Sequence, residues 1–546
     1  MSGGRKAADR GQGGGSHHEP GHGTAVIAPE PLDLRLVPAT AAAWATAWWA
    51  VAQDNRAGAL IAAALVTGGA GALSLMRARR YRPARHREDP RPGVGRDTAR
   101  VRGPVAASVA LSALAACAVL VVSAAGLHTR AADPLTQAAK AGREVSIEAV
   151  VATAPRATAS QRATSVLVEL TVLSVDGRAS RQRAMVFGSE GWMHTHLGER
   201  VQVRTRLQAA EPGSRETAVI GAQAQPRVVG PASGALAVVG HLREGLAEAA
   251  GREPAQYGRW PPGSRALVPG VALGDDSALP GQVREQMRAV SLTHLTAVSG
   301  QHVAILTGLV LSALGILPRR WRALAGAAAL AGLVVLVRPS GSVLRAAAMG
   351  GVMLVGVALG RRSATLPALC GALVVLLLVD PWQSRDYGFA LSAAATGGIV
   401  LGAAPVQAGL GRWVPRWLAT VLAVPLVAQA ACAPLLVMLQ PSVGLWAVPA
   451  NVLAAPAVPV ATLCGLAAAL VAPLWPELAA VIAWPALVGC AWLALVARVF
   501  ASLPGAVVSW PEGIWGALAL AVTETTTTAV VVGWRRARAE RRRRGG

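Results

Sequence analysis

Apolar runs that recur along most of the chain constrain its fold more than any other feature. They lie at 38–53, 56–76 and 104–127, and again at 296–316, 323–337, 341–359, 364–379, 388–405, 418–439, 445–471, 478–500 and 512–533. At about 20 apolar residues per crossing, they predict a polytopic α-helical membrane protein with about 12 spans. Charged residues make up 15% of the chain against 53% hydrophobic, well below the about 25% charged of a soluble domain. That balance excludes a soluble enzyme, a disordered chain, a fibre and a disulfide scaffold. The five cysteines, Cys117, Cys370, Cys432, Cys464 and Cys490, all sit in apolar segments. None has zinc-ligand spacing, so they read as small core residues.

The net charge of +23 is carried almost wholly by arginine, since Lys6 and Lys140 are the only lysines. Neither lies in a GxxxxGK[ST] string, so no Walker A loop is present. Energy for transport must therefore come from a partner or a gradient. Residues 1–37, Gly-, His- and Pro-rich, read as a disordered cytoplasmic tail rather than a metal site of His17, His18 and His22. No short apolar run follows a basic start, so no cleavable signal is expected.

Residues 38–127 read as three N-terminal helices. Between the second and third, the loop 77–102 carries ten Arg against three acids. The positive-inside rule places it in the cytoplasm. DNA binding is the sharper reading of such a patch; topology and lipid headgroups are the simpler one, and the one adopted here. The third span then exits, leaving 128–230 outside. There VSIEAVV (145–151), VLVELTVL (166–173), RAMVF (183–187) and RVQVRTRL (200–207) alternate apolar with polar residues, the mark of half-buried strands. Asp176-Gly177 and Pro212-Gly213 supply turns. A small extracellular β domain, OB-like, is expected. Arg178, Arg181, Arg183, Arg204 and Arg206 make it basic, which fits either a DNA contact or a solvated strand face. Phe187 and Trp192 are few aromatics for stacking bases.

Residues 231–295 are amphipathic and too charged to span, so interfacial helices are expected there. From 296 to 533 nine spans follow. LPRRWR (317–322), GRRS (360–363), GRWVPRW (411–417) and the basic tail 534–546 fall on the cytoplasmic side when the spans are counted from an outside start. Pro339, Pro425, Pro434, Pro449, Pro456 and Pro459 interrupt the backbone at membrane depth, where broken backbone is tolerated only inside protein or along a wet cavity. Residues 425–459 therefore point to a pathway.

Polar groups near spans are few and costly. They are Asp275, Asp276, His294, Ser299 and His302 within 274–306, Arg345, Asp380 and Asp386, and Gln429 and Asn451. Ser299 and His302 share a helix face if the helix is continuous, which invites a hydrolase reading. Gly300 bends the chain between them, however, and no third group orients the histidine. A metal site from Asp275, Asp276, His294 and His302 is a weaker reading than a hydrogen-bonded helix turn. His194-Thr195-His196 continues LGER, so no metallo-β-lactamase core follows. No catalytic residue, cofactor or metal is expected.

Residues 274–306, GDDSALPGQVREQMRAVSLTHLTAVSGQHVAIL, resemble the membrane domain of the ComEC family of DNA-internalisation competence proteins. RPSGSVLRAAAMG, DPWQSRDYGFALSAAATGGI and QAACAPLL…VGLWAVPANVLAAPAVP are similar to three further family stretches in the same order, and the whole covers about 235–465. Gln301 and Val290-Ser291 depart from the pattern. The resemblance implies a channel importing single-stranded DNA across the cell membrane in natural transformation, as a multi-pass protein and not an enzyme. Arg345 would guide phosphates, with His294, Ser299, His302, Gln429 and Asn451 lining the route. Asp380 and Asp386 would serve as helix-end caps or partners of arginine, and Asp275 and Asp276 as polar residues of the structure or the pathway. Many members continue into a metallo-β-lactamase domain; the chain stops after its last span, so a separate nuclease is expected. Further expected partners are membrane lipid, a DNA receptor outside, a motor or DNA-binding proteins in the cytosol, and a second copy of the chain. Two other functions stay open: a transporter or flippase for another anionic solute, and an intramembrane hydrolase.

Overall fold

The computed structural model describes residues 33–53, 57–80, 96–160, 163–221, 224–252, 260–296, 300–337, 341–360 and 365–544. Most of the expected tail 1–37, part of the loop 77–102 and Ser299 lie outside them.

The chain opens with helices α1 (Val37–Ala50), α2 (Ala57–Arg80) and α3 (Arg96–Ala132), followed by the short α4 (Pro134–Lys140). Asp133 starts α4 by accepting from the Leu135 amide at 2.8 Å, the usual service of an Asp N-cap. Strands then follow as β1 (Glu144–Val151), β2 (Arg156–Ser160), β3 (Ala163–Val175), β4 (Arg178–Ala179), β5 (Arg183–Gly188), β6 (Arg200–Ala209), β7 (Ala218–Ile220) and β8 (Arg227–Gly230). The long strands lie where the alternation places them. Along β1 every second residue is buried, with Val145, Ile147, Ala149 and Val151 inside. The neighbours run β1-β3-β5-β7-β6, and β6 returns to β1. Five strands thus close a small OB-like barrel. Its β5–β7 pair is parallel, and the other pairs of this ring are antiparallel. Asp176 and Gly177, both at positive φ, make the tight turn between β3 and β4 that the sequence signals. Trp192, fully buried in a short 3-10 turn at Glu190–His194, plugs the barrel and donates its indole N–H to the Ala224 carbonyl at 2.8 Å.

The remaining chain is helical: α5 (Ala235–Gly251), α6 (Ser264–Leu273), α7 (Gly281–Ala289), α8 (Gly300–Ala313), α9 (Arg319–Val337), α10 (Gly341–Ala358), α11 (Thr365–Val379), α12 (Tyr387–Leu410), α13 (Arg416–Leu439), α14 (Ala447–Ala454), α15 (Ala457–Val471), α16 (Pro476–Ala501) and α17 (Gly513–Arg544). Two short strands, β9 (Ser442–Val443) and β10 (Val508–Ser509), pair between them. Five described helices are long and apolar enough to cross a membrane: Ala106–Ala132 of α3, α9, α12, α13 and α16. The α14–α15 pair, bent by 50°, would make a sixth. About twelve spans were expected, and for three of the expected ones the described helix is short. α1, α8 and α11 are apolar but only 14, 14 and 15 residues long, short of the about 20 that a bilayer asks for.

The largest core joins α5–α10 with α14–α16. Of the segment 231–295, expected at the interface, α6 instead lies inside this core. Leu267 through Leu273 are all buried, because the helix is apolar around its whole circumference. Gly465 of α15 lets α6 come close, since a Cβ there would stand 2.6 Å from that of Ala272. A second pack joins α1, α3 and α11 around Phe389. Helices α12 and α13 cross at Gly398 and Gly402, where added Cβ atoms would meet Ala431 and Val427 at 2.6 and 2.8 Å.

Candidate functional site

The stretch between α11 and α12 is the junction of the molecule. Asp380 begins its 3-10 turn (Pro381–Arg385) by accepting from the Trp382 amide at 3.2 Å. Asp386 caps α12 by accepting from the Phe389 amide at 2.5 Å. Each carboxylate also faces an arginine, Asp380 through its second oxygen and Asp386 through the same Oδ1. Asp380 meets Arg215 of the barrel at 2.9 Å, and Asp386 lies 3.9 Å from Nη1 of Arg345 on α10.

Arg345 is 3% exposed. Its guanidinium stands over the Phe389 ring at 5.5 Å, and that ring packs on Trp44 of α1 at 4.7 Å. Trp44 in turn donates to the Ser384 carbonyl at 3.0 Å. Among the described residues, Nε and Nη1 of Arg345 have no hydrogen-bond partner. Gln383, 1% exposed in the same turn, has neither amide atom bonded. Buried donors without partners cost about 1–3 kcal/mol each, and such atoms are ordinarily met by water or another polar group.

The GDDS stretch, at the end of α6, has a parallel role. Asp275 accepts from the Ser277 hydroxyl at 2.6 Å and faces Arg243 of α5 at 3.7 Å. Asp276 meets Arg156 of β2 at 2.8 Å. The barrel is therefore held by two ion pairs, one from the β1–β3 connection to Asp276 and one from the β6–β7 connection to Asp380. The β6–β7 loop is held further by Arg130 of α3, which donates to the carbonyls of Ser214 and Arg215 at 2.9 and 2.8 Å and stacks on Trp382 at 3.7 Å. A cavity of about 70 Å³ lies in this seam beside Arg130, Glu216 and Trp382, with room for a few water molecules.

The other polar residues named from the sequence are scattered. His302 is buried on α8, whereas His294 is exposed with Nδ1 2.9 Å from the Ser291 carbonyl. The described residues hold no group of three His, Cys, Asp or Glu able to bind a metal ion. Asn451 is half-buried and donates to the Ala447 carbonyl at 2.8 Å within α14. Gln429 is half-buried on α13.

On the barrel, Arg178 and Arg181 are exposed beside the β3–β4 turn. Arg204 and Arg206 stand on the outer face of β6, where Arg204 pairs with Glu144 at 3.1 Å and Arg206 donates to the Gly142 carbonyl at 2.8 Å. Arg183 differs, lying half-buried in the charged group of Glu169, Arg215 and Glu216. Burial, then the neighbouring Arg215, lowers its pKa. Burial, then Glu216, raises that of Glu169. The folded protein therefore binds a proton at Glu169 more tightly than the unfolded chain. Its stability falls as pH rises from the usual carboxylate range through the raised value. Thermal unfolding of the purified chain across pH 4 to 7 is expected to show that decline, and Glu169→Gln to flatten it; an unchanged slope in the variant assigns the decline to other groups.

Arg243, Arg156, Arg215 and Arg130 were not singled out from the sequence. Arg243 was within reach, because it shares a helical stripe with Leu246 and Ala250 and so had to be buried. It donates to the carbonyls of Leu273 and Val337 at 3.3 and 3.1 Å, fastening the ends of α6 and α9. The other three join segments far apart in the chain, which no local pattern announces.

The family model described as "Competence protein" matches residues 271–536. ComE operon protein 3 of Bacillus subtilis (strain 168) is 33% identical over 199 residues, covering 36% of this chain and 25% of that protein. The match thus spans about a quarter of the relative's length. No solved structure matches the chain. The matched segment contains Asp275, Asp276, Arg345, Asp380 and Asp386, the part of the arrangement outside the barrel. Residues 271–536 are therefore similar to the competence-protein family, in keeping with the resemblance that the sequence motifs carry.

Proposed function

We propose that this chain is a multi-pass protein of the cell membrane, with about twelve spans, that passes single-stranded DNA inward during natural transformation. The observation that carries the reading is Arg345, a buried guanidinium with two unspent donor atoms in a segment similar to the competence family. A phosphate backbone asks for such donors in a passage that is otherwise apolar. Gln383, Gln429 and the bent α14–α15 pair with Asn451 support the same route, because polar groups and broken helices at membrane depth line cavities. His294, Ser299 and His302 are further candidates for its lining. The exposed Arg178 and Arg181, with Arg204 and Arg206, give the barrel a basic outer face for a strand approaching it. Asp275, Asp276, Asp380 and Asp386 hold arginines and helix ends, not DNA. A receptor outside, a separate nuclease, and a motor or DNA-binding proteins inside would complete the process, and a second copy of the chain is a further partner.

The test is Arg345→Gln, at matched membrane level. A charge-assisted hydrogen bond of about 1.5–3 kcal/mol corresponds to roughly 10- to 150-fold, and the expected result is a loss of internalised labelled DNA in that range. Uptake at the wild-type level overturns the assignment of Arg345. Normal DNA entry in a strain lacking the whole protein overturns the function, and loss of transport of another anion in that strain selects the transporter reading.

A further inference from the structure

A surface feature outside this junction has its own chemistry. Helices α9 and α10 run antiparallel and pack closely where Gly326 meets Leu354 and Gly350 meets Leu330. Beside that contact they leave an open groove of about 580 Å³. Its walls are Ala327, Ala331 and Val335 of α9 and Gly351, Val355 and Ala358 of α10, with no charged side chain. From Ala323 to Val335 the groove is about 18 Å long at 1.5 Å per residue, which is close to one leaflet of a bilayer about 30 Å thick.

One mouth of the groove is basic. At the start of α9, Arg319 and Arg320 precede the first groove residue, Ala323, by about one turn, and Arg322 is its neighbour in sequence. Arg322 is committed, donating to the Leu311 carbonyl at 2.9 Å. Arg319 and Arg320 are exposed and have no acidic partner among the described residues. Arg319 reaches across to α10, for a Cβ on Gly360 would stand 2.6 Å from its Nη1; Gly360 itself sits at φ +64°. Trp321, 51% exposed beside them, is the residue type that settles at the headgroup level.

We infer that this groove holds an anionic phospholipid, with one acyl chain along α9 and α10 and the headgroup phosphate at Arg319 and Arg320. The charge at the mouth matches an anionic headgroup, and the apolar length matches a chain of the same leaflet. Basic pockets between membrane helices take acidic lipid in this way. The site would fix α9 against the bilayer at the end where α8 and α9 meet.

The test uses the purified full chain in nanodiscs of equal parts phosphatidylglycerol and phosphatidylcholine, extracted into detergent, with retained lipid read by native mass spectrometry. Wild type is expected to retain phosphatidylglycerol over phosphatidylcholine by roughly fivefold or more. The Arg319→Gln/Arg320→Gln variant is expected to lose that preference while still holding lipid. Gly351→Leu is expected to lose both, and it should fold, because nothing lies within 4 Å of a Cβ at Gly351. Ala331→Leu, filling the groove from α9, repeats that measurement independently. Equal retention of the two lipids by wild type, or unchanged retention in all the variants, overturns the site. A groove-filling variant that splits a dimer and leaves bound lipid unchanged also overturns it, assigning the groove to a second copy of the chain.

Discussion

Trp192→Ala is expected to destabilise the barrel by about 3–5 kcal/mol, the usual cost of emptying a large aromatic from a core. The side chain is fully buried, and its indole N–H is spent on the Ala224 carbonyl. The fit is tight. A Cβ on Gly188, in β5, would stand 2.2 Å from Cδ1 of the ring, so the ring packs directly on the β5 backbone. Small domains have about 5–15 kcal/mol of stability in all, so the strands should open. Hydrogen exchange measured on the full chain is expected to show lost protection over 144–209 with the helices unchanged. Retained protection in that segment would remove Trp192 from its place as the plug. Gly188→Ala is expected to push the ring out and shift exchange in the same direction.

The second large effect concerns the two ion pairs that seat the barrel. Asp276→Ala leaves Arg156 alone, and Asp380→Ala leaves Arg215 alone and removes a cap as well. Asp380 and Arg215 are about four-fifths and three-quarters buried, so stranding one partner is expected to cost about 1–3 kcal/mol, below the 3–5 of a fully buried pair. The double variant should exceed either single change, and the 210–217 loop should become open to protease. Transformation frequency is expected to fall with it. Reversing the pair, Arg215→Asp with Asp380→Arg, is expected to recover part of the loss, as a coupled pair does in a double-mutant cycle. Protease resistance equal to wild type in the double variant would show that other contacts seat the barrel.

The barrel was largely legible in the sequence, and for a physical reason. A strand with one face on a core and one on water must alternate, so VSIEAVV and RVQVRTRL announced themselves. β7 did not, because three residues, Ala218–Ile220, are too few to show a period. Its parallel pairing with β5 depends on the path of the chain between them. Among the helices, composition marked the apolar segments but not their lengths. α11 carries an apolar run yet ends after 15 residues at the cap that Asp380 provides. The local parts of the junction were readable as motifs. What joins them was not: Arg156 to Asp276, Arg215 to Asp380, and Arg130 over Trp382 each connect distant segments, and a run of sequence carries no record of such meetings.

The close approach of α12 and α13 at Gly398 and Gly402 has a mechanical side. With so little between them, the pair acts as a single thick strut. The one fully buried side chain described on α12 is Phe389, seated against Trp44 like a ball in a socket. Any tilt of the strut about that socket would turn the aromatic ring beneath Arg345, so a push far along the hairpin would be delivered, lever-fashion, to that buried guanidinium.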